Sequence, residues 1–183
     1  HRILGREGKE AVFVQGVKRN MVRLLPHDGA WEVEFRETEA RLRELWGGSV
    51  LDVQHIGSTA VKGIWAKPIL DVAVVVKSYA DMDTGALAGA GYEYRGAQPP
   101  NGRHLFVLRG KDGMSLHHIH CYEPNAPDFI RCVGFRDYLI AHPQVALQYS
   151  QLKRSRLAEQ FAENRVAYTE AKGEFIRSIY EKL

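Results

Sequence analysis

Three features of the 183-residue sequence predict an α/β fold of the α+β type, a β-sheet flanked by helices and followed by a helical C-terminal part. Ile69–Val76 is apolar at nearly every position, the pattern of a central strand buried on both faces. Arg103–Arg109 and Ser115–Glu123 flank Gly110-Lys111-Asp112-Gly113 as the two strands of a hairpin. From Asp128 onward the apolar residues recur at helical spacing.

The elements follow in order. Asp28, after Pro26-His27, is placed to cap a helix in which Trp31, Phe35, Leu42 and Leu45 share a face, and Gly47-Gly48 ends it. Val50–Ile56 is a strand, and residues 57–67 are a loop or short helical turn. Pro68 leads into the strand from Ile69 to Val76. Ser78 caps a weak helix running to about Ala90, and Tyr92–Tyr94 is a short strand. Gly96–Gly102, with Pro99 and Pro100, is an irregular loop before the hairpin. A helix then runs from Asp128 to about Ala141, Pro143 opens the next as a first-turn proline, and a third begins near Asn164. Val166, Phe175, Ile176, Ile179 and Leu183 line a stripe on that last helix.

The length suits one domain with its own core, and we expect a single domain over residues 21–183. Residues 1–20 read as a leader or a segment foreign to that domain: they start at a histidine, and Met21 opens the more regular pattern. No apolar run approaches a membrane span. The net charge of +3 sits in residues 1–20, where Arg2, Arg6, Lys9, Lys18 and Arg19 outnumber Glu7 and Glu10. The remainder is balanced, which argues against nucleic acid as a partner. Cys121 and Cys132 lack paired-ligand spacing and read as structural thiols of a cytoplasmic protein.

Chemistry concentrates between His55 and Asp71. Asp71 is the one carboxylate in the apolar strand, and an ionised acid there needs a partner. It is either a metal ligand or general base, or half of a structural pair with Lys67 or another cation. The run His55-Ile56-Gly57-Ser58-Thr59 ends a strand in a Gly-Ser turn, where backbone N–H groups and a hydroxyl suit phosphate oxygens. Ser58 precedes Asp71 by thirteen residues, a spacing that predicts a phosphate-holding turn and a metal-capable carboxylate on adjacent strands. Lys62 and Lys67, between them, are candidates to neutralise phosphate charge. In Leu116-His117-His118-Ile119-His120, strand alternation directs His118 and His120 to one face. They are candidate metal ligands or a general base, against the alternative of a solvated or hydrogen-bonded strand face.

The stretch His55-Ile56-Gly57-Ser58-Thr59-Ala60-Val61-Lys62-Gly63-Ile64-Trp65-Ala66-Lys67-Pro68-Ile69-Leu70-Asp71 resembles the signature of the GrpB family. The resemblance continues through Phe135-Arg136-Asp137-Tyr138-Leu139, His142-Pro143, Tyr149, Leu152-Lys153, Tyr168, Lys172 and Phe175-Ile176. It implies a nucleotidyltransferase-like fold with a mixed β-sheet, in a family also found fused to dephospho-CoA kinase. Active enzymes of that fold place two carboxylates on alternate residues of the acidic strand. This chain has Asp71 but Ala73. The resemblance also marks Arg136, Lys153 and Lys172 as candidate phosphate contacts, with interhelical pairing as the alternative for Arg136 and Asp137. Tyr138, Tyr149 and Tyr168 read as core or helix contacts. Trp65 stands where the family has a small residue, and would flank a ligand pocket.

Two functions follow as expectations. In the first, the protein transfers a nucleotidyl group from an NTP to a small-molecule or protein hydroxyl. Ser58 and the Gly57 backbone hold phosphate, Lys67 stabilises charge, and Asp71 ligands a divalent metal. That metal is Mg²⁺ or Mn²⁺, or Zn²⁺ or Ni²⁺ if the histidines join, with His120 the expected further ligand. In the second, it is a non-catalytic module that binds a nucleotide or phosphorylated small molecule and assists a partner enzyme.

Overall fold

The computed structural model describes residues 2–4, 10–12, 23–154 and 165–183. Most of residues 1–20, and the side chains of Val166 and Tyr168, lie outside the described residues. Two short strands, β1 (Arg2–Leu4) and β2 (Glu10–Val12), pair antiparallel. The main sheet has five strands: β3 (Val50–Ile56), β4 (Leu70–Val76), β5 (Tyr92–Gln98), β6 (Arg103–Arg109) and β7 (Ser115–Tyr122). Their order is β3-β4-β7-β6-β5. β4 and β7 run parallel and every other pair is antiparallel, so the sheet is mixed.

One face of the sheet packs on α1 (Ala30–Trp46) and α2 (Thr84–Gly89). Trp31, Leu42 and Trp46 of α1 meet Val72, Val74 and Val76 of β4, with Phe106, Ile119 and Cys121 from the neighbouring strands. Asp28 Oδ1 accepts a hydrogen bond from Ala30 N–H at the start of α1, as its position predicts. Glu34 and His117, both buried on this face, bond each other. Tyr92 completes the set through its hydroxyl, 2.7 Å from His117 Nδ1.

The other face meets the helical part: α3 (Pro127–Ala141), α4 (Pro143–Leu152) and α5 (Arg165–Tyr180). Phe135, Leu139, Ala146, Tyr149 and Ile179 close around Val61 and Ile64 of the loop between β3 and β4. Strand alternation divides β4 between the two cores. Its even-numbered residues face α1, and Ala73 packs with Ile56 and Tyr122 toward α3.

Three boundaries differ from the sequence expectation. Ser78 caps only a 3₁₀ turn, Tyr79–Asp81, because Met82 is extended; Asp83 caps the separate α2. β5 reaches Gln98 rather than Tyr94: Gly96, at φ +69°, takes up a bulge and pairing resumes at Ala97↔His104. Leu183 falls beyond α5 and is exposed, although Phe175, Ile176 and Ile179 do pack inward.

Phe106 is fully buried and meets Trp46 edge-to-face at 5.5 Å. Phe106→Ala should cost about 3–5 kcal/mol by denaturant unfolding.

Candidate functional site

The C-terminal segment of β3, the start of β4 and the end of β7 open into a cleft of about 440 Å³ under the helical part. That is within the range of small-molecule sites. Asp71 stands at its base. The parallel register sets His118 opposite Asp71 and His120 opposite Ala73, and alternation turns both rings toward the carboxylate. His120 Nε2 lies 3.1 Å and His118 Nδ1 3.6 Å from Asp71 Oδ1. One ligand atom from each of the three lies within 4.8 Å of the others, and among the described residues no other group of three or more potential metal ligands is so arranged. Burial would raise the Asp71 carboxyl. The His120 hydrogen bond and the electrostatic attraction of His120, His118 and Lys67 outweigh it and hold the group well below the usual carboxylate range.

Gly57 makes this approach possible. It takes φ +73°, and a Cβ built on it would lie 2.9 Å from Asp71 Oδ2. The glycine is thus required by the carboxylate that leans against it.

Ser58 follows, at the start of a 3₁₀ turn, Ser58–Ala60. Its Oγ accepts a hydrogen bond from Lys153 Nζ at 2.9 Å, and the same ammonium donates to the Trp65 carbonyl at 2.6 Å. Lys153 is 1% exposed and lies over the Tyr149 ring, 4.4 Å from its centroid. Burial pushes it well below the usual lysine range, and the charges of Lys172 and Lys67 add to that. All three lysines line the cleft, as does Arg103, against the acids Asp71 and Asp128. The Tyr149 hydroxyl is buried without a hydrogen-bond partner among the described residues.

The second position of the acidic strand holds no ligand. Ala73 is fully buried, with Phe129, Cys132 and Val133 of α3 packed against its cluster. Cys132 also lines the cleft as a thiol that burial keeps protonated, and Cys121 lies in the core.

Of the residues marked in the sequence, Gly57, Ser58, Thr59, Lys67, Asp71, His120, Lys153 and Lys172 line the cleft, and His118 stands beside Asp71. Three do not. His55 turns to the other face of the sheet, stacks on Phe35 at 4.9 Å and bonds Thr59 Oγ1 at 2.9 Å. Lys62 lines a depression on that side. Arg136 braces the edge strand, donating to Gln54 Oε1 at 2.8 Å and to the His55 carbonyl at 3.0 Å. Trp65 serves through its backbone, since its N–H also donates to Ser150 Oγ, and its ring stacks under Arg154. Asn101, Arg103, Tyr122 and Asp128 line the cleft without having been marked. Arg103 had a signal in the hairpin: alternation puts it on the His118–His120 face, diagonal to His120.

The family model described as GrpB protein matches residues 21–182. The chain is 33% identical to the glutamate-rich protein GrpB of Alkalihalophilus pseudofirmus, over 92% of this chain and 99% of that protein. It is 32% identical to UPF0157 protein YqkA of Bacillus subtilis, over 89% of this chain, and spans only about half of that relative (47%). A dephospho-CoA kinase of Mycolicibacterium paratuberculosis matches at 28% identity, over 91% of this chain and 47% of the kinase. Among solved structures, the GrpB protein of Enterococcus faecalis superposes with a TM-score of 0.77 at 29% identity, covering 87% of this chain and 98% of the other. The Cid1 poly(U) polymerase with Mg 3′-dATP bound superposes with a TM-score of 0.52 at 14% identity, over 75% of this chain and 44% of that one. That likeness concerns the fold, which is nucleotidyltransferase-like. Among the described residues no helix is long and apolar enough to cross a membrane.

Gly57→Ala forces a side chain into positive φ and against Asp71. It should lower stability by about 1–3 kcal/mol in urea unfolding, combining backbone strain with displacement of the acid. Burial also lowers His55 to about 4 from 6.5, the charge of Asp71 opposing and that of Arg136 reinforcing it. The unfolded chain therefore binds the extra proton first. The contribution is complete above pH 6.5 and is lost as pH falls toward 4, by at most about 1.4 kcal/mol per pH unit. Unfolding free energies measured from pH 7 to 4 should fall less steeply in His55→Gln than in the wild type.

Proposed function

The chain belongs to the GrpB family, and from that premise we propose that its cleft binds a nucleoside triphosphate by the phosphates and transfers the nucleotidyl group to a hydroxyl of a small molecule or protein. The observation that carries this reading is the presence of Lys67, Lys153 and Lys172 in one cleft with Asp71 and with Ser58, which Lys153 contacts. Burial accounts for most of the depression of Lys153, and the neighbouring charges of Lys172 and Lys67 add to it. A polyphosphate offsets those charges. Ser58 Oγ and Lys153 Nζ already form one side of such a site, and two of the three Lys153 N–H groups are taken by Ser58 and Trp65 among the described residues. The third remains for a phosphate oxygen.

In the transfer, the acceptor oxygen bonds to the α-phosphorus, the bond to pyrophosphate breaks, and the acceptor proton passes to a base of the cleft. His118, next to Asp71 and when not itself bound to a metal, is our candidate for that base. The donor set around Asp71 fits a single divalent ion, with Asp71 as its carboxylate ligand. Such an ion neutralises phosphate charge and polarises phosphoryl oxygen. Lys67 and Lys172 hold the charge that accumulates on the leaving pyrophosphate.

One observation favours a second reading, a binding module without transfer. Ala73 is sealed under α3, so β4 offers no second carboxylate for a metal pair. The match to a dephospho-CoA kinase supports a partner enzyme as the beneficiary of such a module.

The test is calorimetric titration of ATP, GTP, CTP and UTP, with Mg²⁺ or Mn²⁺, into the wild type, Asp71→Ala and Lys153→Met. At least one nucleotide should bind, with its metal dependence lost in Asp71→Ala. Lys153→Met should weaken binding about ten- to a hundredfold, the worth of one charged hydrogen bond. Failure of all four nucleotides to bind would overturn the phosphate reading. Binding without pyrophosphate release, across hydroxyl acceptors, would favour the accessory module.

A further inference from the structure

Hydrogen-bond polarity at His120 has consequences for the metal that this site takes. Arg103 Nε donates to His120 Nδ1 at 3.1 Å. A guanidinium has donors only, so Nδ1 must present its lone pair. The ring proton therefore resides on Nε2 and points at Asp71 Oδ1, 3.1 Å away. Arg103 is itself steadied by Asn101, whose Oδ1 accepts from Nη1 at 3.3 Å.

We infer that Asp71, His118 and His120 form a site for one divalent transition ion of the zinc class, and that Arg103 opposes its binding by claiming the His120 nitrogen that must become a donor. The inference rests on the reading of Asp71 as a metal-holding residue, and it requires neither nucleotide binding nor transfer. Two imidazoles and one carboxylate are the donors of zinc, cobalt, nickel and manganese sites, whereas magnesium takes oxygen. The ring nitrogens lie 3.1 and 3.6 Å from Asp71 Oδ1, and the three ligand atoms within 4.8 Å of one another, near enough to reach one ion. The neighbouring histidine is not part of the set: His117 points to the other face and is held by Glu34 and Tyr92.

A ligating imidazole presents a lone pair to the ion and an N–H to an acceptor behind it. For His120 to bind through Nε2, its proton must move to Nδ1. That N–H would then face the Arg103 N–H, donor against donor. Metal entry thus requires Arg103 to leave, and the residue lines the cleft mouth, where Asp128 or an anionic ligand can receive it. Glutamine in its place offers a carbonyl oxygen to Nδ1–H and removes the conflict.

The experiment titrates Zn²⁺ and Mg²⁺ into metal-stripped wild type, Arg103→Gln, His118→Ala and His120→Ala without nucleotide, and follows Co²⁺ by its visible absorption. The wild type should bind one Zn²⁺ in preference to Mg²⁺. Arg103→Gln should bind it about tenfold or more tightly, and each histidine variant at least about tenfold more weakly, the scale of lost ligand-supporting contacts. The Co²⁺ spectrum should change in both histidine variants. Arg103→Gln keeps all three ligands, so it carries the test if a histidine variant does not fold. Equal zinc affinity in the wild type and Arg103→Gln would overturn the opposition by Arg103. Undiminished zinc binding in folded histidine variants, or none in Arg103→Gln, would overturn the site. Magnesium binding without zinc binding would overturn it too, yet leave the phosphate reading of the cleft intact.

Discussion

An ionised carboxylate at the start of an apolar central strand must be answered by hydrogen bonds and positive charge, and the cleft is organised by that requirement at Asp71. Its side chain is only 31% exposed, so water cannot meet the need alone. His120 supplies a hydrogen bond, and His118 and Lys67 add electrostatic attraction. Gly57 gives up a side chain so that the acid can lean against the turn. The turn that results puts Ser58 in reach of Lys153 from the far helical part. Sheet and helices are therefore joined at the same few atoms that line the cleft.

The two faces of the sheet divide the polar work. Toward α1, His117, Glu34, Tyr92 and His55 are tied up in buried hydrogen bonds or stacking. Toward the helical part, the histidines one and three residues further on meet the acid of the cleft. A single residue of register thus decides whether a histidine is internal support or faces the cleft acid. The same parity puts Ala73 beneath α3, where a second carboxylate would be buried among Phe129, Cys132 and Val133. The chain keeps a nucleotidyltransferase-like fold, with imidazoles on β7 beside one carboxylate on β4.

Much of this was readable from the chain. The motif from His55 to Asp71 lies on two adjacent strands and the turn between them, so its spacing alone placed Ser58 near the acid. Strand alternation placed His118 and His120 together. Other features depend on contacts between distant segments. Lys153 owes its burial to the Trp65 carbonyl, 88 residues away, and nothing in its own neighbourhood signals that. Arg103 enters through hairpin register. His55, turned toward α1, and Arg136, reaching from α3, both fall in stretches that resemble the family, yet they support the edge strand and do not line the cleft. Membership in a motif did not distinguish contact with a ligand from support of the turn that makes the contact. Gly96 hid the extension of β5, because the residue that marks loops in sequence also permits a bulge within a strand.

On the proposed reading, the Ser58–Lys153 side of the cleft receives phosphate. A crystal structure of the protein with a non-hydrolysable NTP analogue and Mn²⁺, located by its anomalous signal, tests it most directly. Phosphate oxygens should stand within hydrogen-bond reach of Ser58 Oγ and Lys153 Nζ, with manganese beside Asp71. An analogue bound with its phosphates outside the cleft, while Lys153 keeps only Ser58 and the Trp65 carbonyl, would contradict it.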